Sequence, residues 1–170
     1  MHTYIALLRA VNVGGTGKLP MTELKALCES AGFGNVRTYI ASGNVVFSST
    51  LAEAAVKQAL TDKLLVYAGK PVGVLVRSAA EMAAVLTANP FPDAPGNRVA
   101  AIFLDAAALP GALAAAVGMQ NELMALGQRE IYVHYGDGMA DSKLRIPAAK
   151  SGTARNMNTV AKLAAMAQGA

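Results

Sequence analysis

The order in which strand-like and helix-like segments alternate is the feature that most constrains the fold of this chain. Runs of β-branched, aromatic or alternating apolar residues occur at 3–10, 36–41, 45–48 and 72–76 and predict strands. Apolar residues at helical spacing lie between the first and second of these strands, and again between the third and fourth. The predicted succession is therefore βαββαβ, the order of a ferredoxin-like split βαβ unit.

Local signals in the same region mark turns and helix starts. Pro20 fits the first turn of the first helix, where its missing N–H donor costs nothing. Residues 50–53 and 78–81 each carry a hydroxyl side chain followed three positions later by glutamate, a pattern that predicts a capping box at a helix start. Residues 42–44 separate two strand-like runs and predict a hairpin turn.

A second, similar succession follows a linker. Residues 89–97 contain three prolines and one glycine, which is typical of a connecting segment. Beyond it, strands are predicted at 99–104, 122–126 and 130–135, with a helix at 110–117 and a final apolar-faced helix. The second succession is therefore βαββα.

The predicted fold class is α+β, with tandem ferredoxin-like (split βαβ) halves, antiparallel sheets and helices packed on one face. Residues 1–78 form the first half, 79–97 a connecting helix and proline-rich linker, and 98–170 the second half. We expect them to make one compact unit.

Composition limits the class of protein. The chain has 170 residues, 54% of them hydrophobic and 15% charged, which excludes wholesale disorder. Its single cysteine, Cys28, rules out a disulfide within the chain. No uncharged apolar run approaches the roughly 18 residues of a membrane span, and no signal-peptide pattern opens the sequence. We therefore expect a cytoplasmic protein with no membrane association.

The positive charge is unevenly distributed. The net charge is +4, and residues 142–170 hold five basic residues and no acidic ones. Such a segment either attracts anions or forms a solvated surface that keeps the protein soluble. The sequence supports both interpretations.

Topology predicts where polar loops meet. In a split βαβ unit the first two strands run parallel, so the loop after the first strand and the turn after the second lie at the same end of the sheet. The residues gathered there are Arg9, Asn12, Gly14, Gly15, Lys18, Ser42, Gly43 and Asn44. Glycines let backbone donors approach a ligand, and an arginine can clamp a carboxylate or phosphate with two hydrogen bonds. The alternative is that these glycines form turns and the asparagines cap them.

Known catalytic and cofactor motifs do not match. The glycine-rich run at 14–18 lacks the first glycine and the Ser or Thr of a phosphate-binding P-loop. Few aromatic residues are present to stack on bases. His2, His134 and Cys28 are too dispersed to make a strong metal-ligand set. No nucleophile, base and orienting residue can be assembled, so we predict no cofactor and no metal, and catalytic residues remain unassigned.

Several segments together resemble one family. Residues 4–15 with 21–24, residues 38–47, and residues 142–144 with 153–159 are similar to the signatures of an uncharacterised bacterial family, domain of unknown function 1697. Met157 stands where that family usually has Trp, and Ala41 where it often has Gln. The resemblance implies a tandem α+β architecture and brings no established activity, substrate or cofactor.

The resemblance also singles out a polar set just before the last helix. Its members are Thr153, Arg155, Asn156, Asn158 and Thr159. One or two of them would be enough to cap that helix. The full set indicates either a buried hydrogen-bond network or part of a ligand site.

The functional prediction is an anion-binding protein. Arg9, Lys18, Lys143 and Arg155 would supply charge. Polar groups of the same loops, among them Asn12, Ser42, Asn44, Thr153 and Asn156, would orient the ligand. The ligand would be a phosphate-bearing metabolite, a nucleotide or a nucleic-acid backbone.

One alternative is an enzyme acting on a phosphorylated or carboxylated substrate, which needs Glu23, Asp137, Asp141 or His134 near the cluster. Another is an oligomeric interaction scaffold. Either a monomer or a homodimer fits the sequence.

Overall fold

The computed structural model describes residues 1–12, 18–136 and 142–169. The strands are β1 (His2–Leu8), β2 (Gly34–Tyr39), β3 (Asn44–Ser49), β4 (Val74–Ser78), β5 (Val99–Phe103), β6 (Leu123–Leu126), β7 (Glu130–His134) and β8 (Thr153–Asn156). The helices are α1 (Met21–Ser30), α2 (Glu53–Ala68), α3 (Ala79–Thr87) and α4 (Met157–Gln168). None of the helices in these described ranges is both long and apolar enough to cross a membrane.

The chain divides into two units. Unit 1 comprises Met1–Met82 with Leu163–Ala170, and unit 2 comprises Ala83–Lys162. Each unit contains one four-stranded sheet. The domain boundaries that the sequence indicates after residues 78 and 97 stay a prediction.

The sheet of unit 1 has the strand order β2-β3-β1-β4, with every neighbouring pair antiparallel. Helices α1 and α2 pack on one face of this sheet, because each presents a stripe of apolar residues at helical spacing. The buried cluster includes Ala6, Leu8, Val45, Phe47 and Val76 from the sheet and Leu24, Cys28, Val56, Leu60 and Leu64 from the helices. The ferredoxin-like arrangement predicted for the first half is confirmed.

The sheet of unit 2 repeats that order as β6-β7-β5-β8, again antiparallel throughout. Its buried cluster centres on Ile102, Ile131, Val133 and Ile146. Short irregular segments supply the apolar cover of this cluster, including residues of 3-10 turns at Ala112–Ala115 and Pro147–Ala149. The tandem α+β fold class is therefore confirmed.

Two details of the second half differ from the sequence prediction. The helix predicted at residues 110–117 is only a single 3-10 turn, Ala112–Ala115. A segment this short is marginal as a helix, and Val117 exchanges two backbone hydrogen bonds with Arg145 at 2.9 and 2.8 Å instead. The second difference is a fourth strand, β8, in the polar segment before α4. The residues of β8 are mostly polar, so they show no strand-like apolar pattern. The strand forms because the segment pairs with β5.

The two predicted capping boxes have different outcomes. At the start of α3, the backbone N–H of Ser78 donates to Oε1 of Glu81 at 2.9 Å, and the N–H of Glu81 donates to Oγ of Ser78 at 3.1 Å. The box at residues 50–53 is wrong, because α2 begins with Ala52 at its N-cap and no side-chain cap hydrogen bond. Thr50 lies two residues too early to reach the free N–H groups of that helix.

This contrast gives a paired stability test. We expect Ser78→Ala to lower the free energy of unfolding by about 1 kcal/mol, because a helix N–H loses its side-chain acceptor. The matched variant Thr50→Ala should change it by less than about 0.5 kcal/mol. Urea unfolding followed by circular dichroism measures both. Equal losses in the two variants would contradict the assignment of the cap.

Candidate functional site

The end of the unit 1 sheet at which β1 stops is also the end at which β4 begins, because these strands are antiparallel neighbours. Leu8 pairs with Val74, and the N–H of Arg9 donates to the carbonyl oxygen of Gly73 at 2.9 Å. A Cβ atom at position 73 would lie 3.0 Å from Cβ of Arg9 and 3.3 Å from its Cδ. Gly73 therefore leaves room for the aliphatic part of the arginine side chain.

A cleft of about 610 Å³ opens beside this strand end, and we refer to it as the unit 1 cleft. It is lined by Arg9, Ala10, Val11, Lys18, Leu19, Leu64, Tyr67, Ala68, Lys70, Pro71, Val72 and Gly73. Arg9, Lys18 and Lys70 are exposed cations, and no carboxylate is present among the described lining residues. Concave surfaces lined by charge of one sign concentrate ions of the opposite sign.

Asn12 lies next to the cleft and is held by three hydrogen bonds. Its Nδ2 donates to the carbonyl oxygens of Leu19 and Ala41, each at 2.8 Å, and its Oδ1 accepts from the N–H of Leu19 at 2.7 Å. Both amide hydrogens and one acceptor site are used by the backbone. This side chain therefore connects the loop after β1 to the turn between β2 and β3. Such a structural role for the asparagines is the alternative to ligand binding that the sequence also allowed.

The turn between β2 and β3 is also built by internal contacts. Asn44 is fully buried, and its Nδ2 donates to the Tyr39 carbonyl and to Oγ of Ser42, each at 2.9 Å. Gly43 has φ +89° and accepts a 2.8 Å hydrogen bond from the N–H of Leu8. Two of the predicted polar loops thus do meet, through hydrogen bonds made by the backbone and by a side-chain amide. The lining of the unit 1 cleft includes none of the three turn residues Ser42, Gly43 and Asn44.

The remaining predicted site residues are Gly14 and Gly15 and four residues of unit 2. Gly14 and Gly15 lie outside the described residues. In unit 2, Lys143 is exposed, whereas Thr153 and Arg155 are buried in β8. Nη1 of Arg155 donates to Oγ1 of Thr153 at 2.7 Å and to the Ala154 carbonyl at 2.9 Å. Burial lowers the pKa of Arg155 to about 10, so the guanidinium stays charged at neutral pH.

Asn156 caps the last helix. Its Oδ1 accepts a 2.9 Å hydrogen bond from the N–H of Thr159, in the first turn of α4. Asparagine is among the best residues for this position. The capping interpretation of the polar set is therefore confirmed at Asn156.

Groups that would favour catalysis or metal binding are placed elsewhere. Neither Glu23 nor His134 lines the unit 1 cleft, and His134 stacks on Phe91 with ring centroids 5.6 Å apart. Burial, together with the nearby Glu29, raises the pKa of the Cys28 thiol to about 12. Asp137 and Asp141 lie outside the described residues. The described ranges contain no cluster of three His, Cys, Asp or Glu side chains able to hold a metal.

Two lining residues with polar side chains, Lys70 and Tyr67, were not predicted from the sequence. Both belong to the end of α2 or the connection to β4. The signal was available, because a fourth strand antiparallel to the first must begin where the first ends. The connection before β4 therefore belongs to the same end of the sheet as the loop after β1.

The strand orders of both sheets and the cationic cleft together define a tandem ferredoxin-like α+β protein. The family model described as "Protein of unknown function (DUF1697)" matches residues 1–132, and the chain belongs to this family. The chain is also similar to the solved structure of the conserved bacterial protein SP0830 from Streptococcus pneumoniae. The two are 24% identical, 98% of each chain is covered, and the TM-score is 0.81, a likeness that shows the fold alone. No curated protein matches the chain.

Proposed function

We propose that the unit 1 cleft binds a phosphate-bearing anion. The observation that carries this proposal is the convergence of Arg9, Lys18 and Lys70 on one concave surface that has no carboxylate among its described lining residues. Arginine can form two parallel hydrogen bonds with a phosphate, and lysine acts as a point charge toward it. The volume of about 610 Å³ lies in the range of small-molecule sites.

The apolar part of the cleft supports a ligand with more than a phosphate group. Leu64, Pro71 and Val72 line it together with the ring of Tyr67. Tyr67 is 42% exposed, so one part of its ring surface is open to a partner. A phosphorylated metabolite or a nucleotide would place its phosphate among the cations and its body against these side chains. A nucleic-acid backbone shares the same phosphate chemistry.

The proposal is tested by titrating the full-length protein with inorganic phosphate, AMP and a single-stranded oligonucleotide, using isothermal calorimetry. We expect Arg9→Gln or Lys70→Gln to raise the Kd for AMP about tenfold, because each removes a charge-assisted hydrogen bond. Lys25→Gln removes the same charge from an exposed position on α1 outside the cleft and should leave the Kd unchanged.

The three probes distinguish the sources of phosphate. A nucleic-acid ligand would show affinity for the oligonucleotide that falls steeply with salt. A small phosphorylated ligand would show AMP binding stronger than both the oligonucleotide and phosphate. AMP affinity that is unchanged in both cleft variants would rule out the assignment of this site. Lys143, Thr153, Arg155 and Asn156 stay predictions as ligand contacts, as does the oligomeric state.

A further inference from the structure

A second cleft, in unit 2, has fewer charged side chains among its described lining residues than the first. Its volume is about 590 Å³, and we refer to it as the unit 2 cleft. It is lined by Ile102, Val117, Tyr135, Leu144, Arg145, Ile146, Pro147, Ala149 and Lys150. Six of these residues are aliphatic or proline, and the two charged ones are both cations. The described lining residues include no carboxylate.

The walls of this cleft are held by backbone pairing. The N–H of Val117 donates to the Arg145 carbonyl at 2.9 Å, and the N–H of Arg145 donates to the Val117 carbonyl at 2.8 Å. This bridge joins the segment after the Ala112–Ala115 turn to the segment before the Pro147–Ala149 turn. Ile102 belongs to β5, so the sheet also contributes a residue to the lining. The apolar wall is therefore anchored to the unit 2 core.

Tyr135 supplies a polar group within this apolar surface. Its backbone N–H donates to the Arg98 carbonyl at 2.8 Å, which anchors the residue at the end of β7. Its hydroxyl has no hydrogen-bond partner among the described residues. Burial, and then the charge of Glu122, raises the pKa of the phenol above its ordinary value. The hydroxyl is thus a neutral donor at physiological pH.

Arg145 supplies the anion-binding group. The residue is exposed, and its backbone is held by the bridge to Val117. A planar guanidinium pairs with a carboxylate through two parallel hydrogen bonds. An apolar surface with an arginine and a tyrosine hydroxyl therefore matches a molecule that is apolar along its body and anionic at one end.

We propose that the unit 2 cleft binds a small apolar carboxylic acid. The carboxylate pairs with the guanidinium of Arg145 and accepts a hydrogen bond from the hydroxyl of Tyr135. The hydrocarbon body packs against Ile102, Leu144 and Ile146. Lys150 adds positive charge at the same cleft. This site is separate from the phosphate site proposed for unit 1 and uses none of its residues.

The test uses hexanoate as the probe, with hexanol and acetate as partial probes, and follows the backbone amide signals of the full chain by two-dimensional NMR. We expect hexanoate to shift the amide signals of residues 102, 144–146 and 148–150, the N–H groups nearest the cleft lining. Hexanol and acetate should each bind at least about tenfold more weakly than hexanoate. Hexanol lacks the carboxylate that pairs with Arg145, and acetate lacks the hydrocarbon chain that packs on the apolar wall. Hexanol binding as tightly as hexanoate, or shifts confined to other residues, would overturn the proposal.

Variants assign the roles. Arg145→Gln should raise the Kd for hexanoate about tenfold, and Tyr135→Phe, which keeps the ring, should raise it by about threefold to tenfold. Lys162→Gln is the matched charge control, since Lys162 is exposed on α4 and does not line the cleft. Arg9→Gln should also leave hexanoate binding intact, so the failure of one site is distinguishable from the failure of the other. Unchanged affinity in Arg145→Gln would overturn the proposal.

Discussion

Gly43→Ala is expected to lower the free energy of unfolding by about 2–4 kcal/mol, from backbone strain plus overpacking. Gly43 has φ +89°, a conformation that costs a residue with a side chain about 1 kcal/mol or more. A Cβ atom there would also lie 2.7 Å from Cγ2 of Val11 and 2.9 Å from Cβ of Leu8. Both neighbours are buried core residues, so neither can move aside without disturbing the packing of unit 1.

The chain provides a matched control for the first of these two costs. Gly32 has the same φ of +89°, and an added Cβ would meet no heavy atom within 4 Å. Gly32→Ala should therefore cost only the backbone term, about 1–2 kcal/mol. Urea unfolding of both variants measures the difference, which is the steric cost at Gly43. Equal destabilisation would show that the contact with Val11 and Leu8 relaxes freely.

Asn44→Asp is expected to lower the free energy of unfolding by about 3 kcal/mol or more at pH 7, because it buries a charged carboxylate next to a carbonyl oxygen. Asn44 is fully buried and donates from Nδ2 to the carbonyl oxygen of Tyr39. The substitution keeps the shape and removes that donor, so an anionic oxygen would face the carbonyl oxygen at about the same separation.

The destabilisation by Asn44→Asp should depend on pH in a defined direction. Burial, together with the Tyr39 carbonyl oxygen that faces this position, raises the pKa of the new carboxyl in the folded state above its unfolded value of about 3.9. The penalty is therefore small below about pH 4 and grows as pH rises through the unfolded pKa, because the unfolded state loses its proton first. It becomes constant above the folded pKa.

Unfolding of this variant and of the wild type between pH 3.5 and 8 measures the effect. Asn35→Asp is the control, since Asn35 is exposed and gains the same charge. We expect it to change the free energy of unfolding by less than about 0.5 kcal/mol. A difference between Asn44→Asp and wild type that did not vary with pH would show that the lost hydrogen-bond donor, rather than the charge, is responsible.

Local sequence patterns predicted the elements wherever the local preference and the tertiary environment agree. The strands and helices of unit 1 follow from their apolar periodicity, and the cap at Ser78 follows from the spacing to Glu81. The same capping pattern failed at Thr50, because the pattern alone does not determine at which residue α2 begins. A short motif predicts an interaction only when the backbone brings its two ends together.

The candidate site was predicted in part, for a related reason. Topology placed Arg9 and Lys18 at one end of the sheet, and the unit 1 cleft contains both. Asn12 and Asn44 were predicted at the same end, but their amides are used in binding the backbone. Which partner an amide takes depends on distances of a few tenths of an ångström, and these are set by packing across the sheet.

The sequence by itself determined the order of the elements from β1 to α3, the apolar faces of α1 and α2, and the family to which the chain belongs. Tertiary structure alone decided that Thr153–Asn156 is a strand, that residues 110–117 do not form a helix, and that the side-chain amide of Asn12 binds the backbone. The physical reason is the same in each case. Periodicity and propensity act between residues a few positions apart, whereas strand pairing and cleft formation depend on segments that only the folded chain brings together.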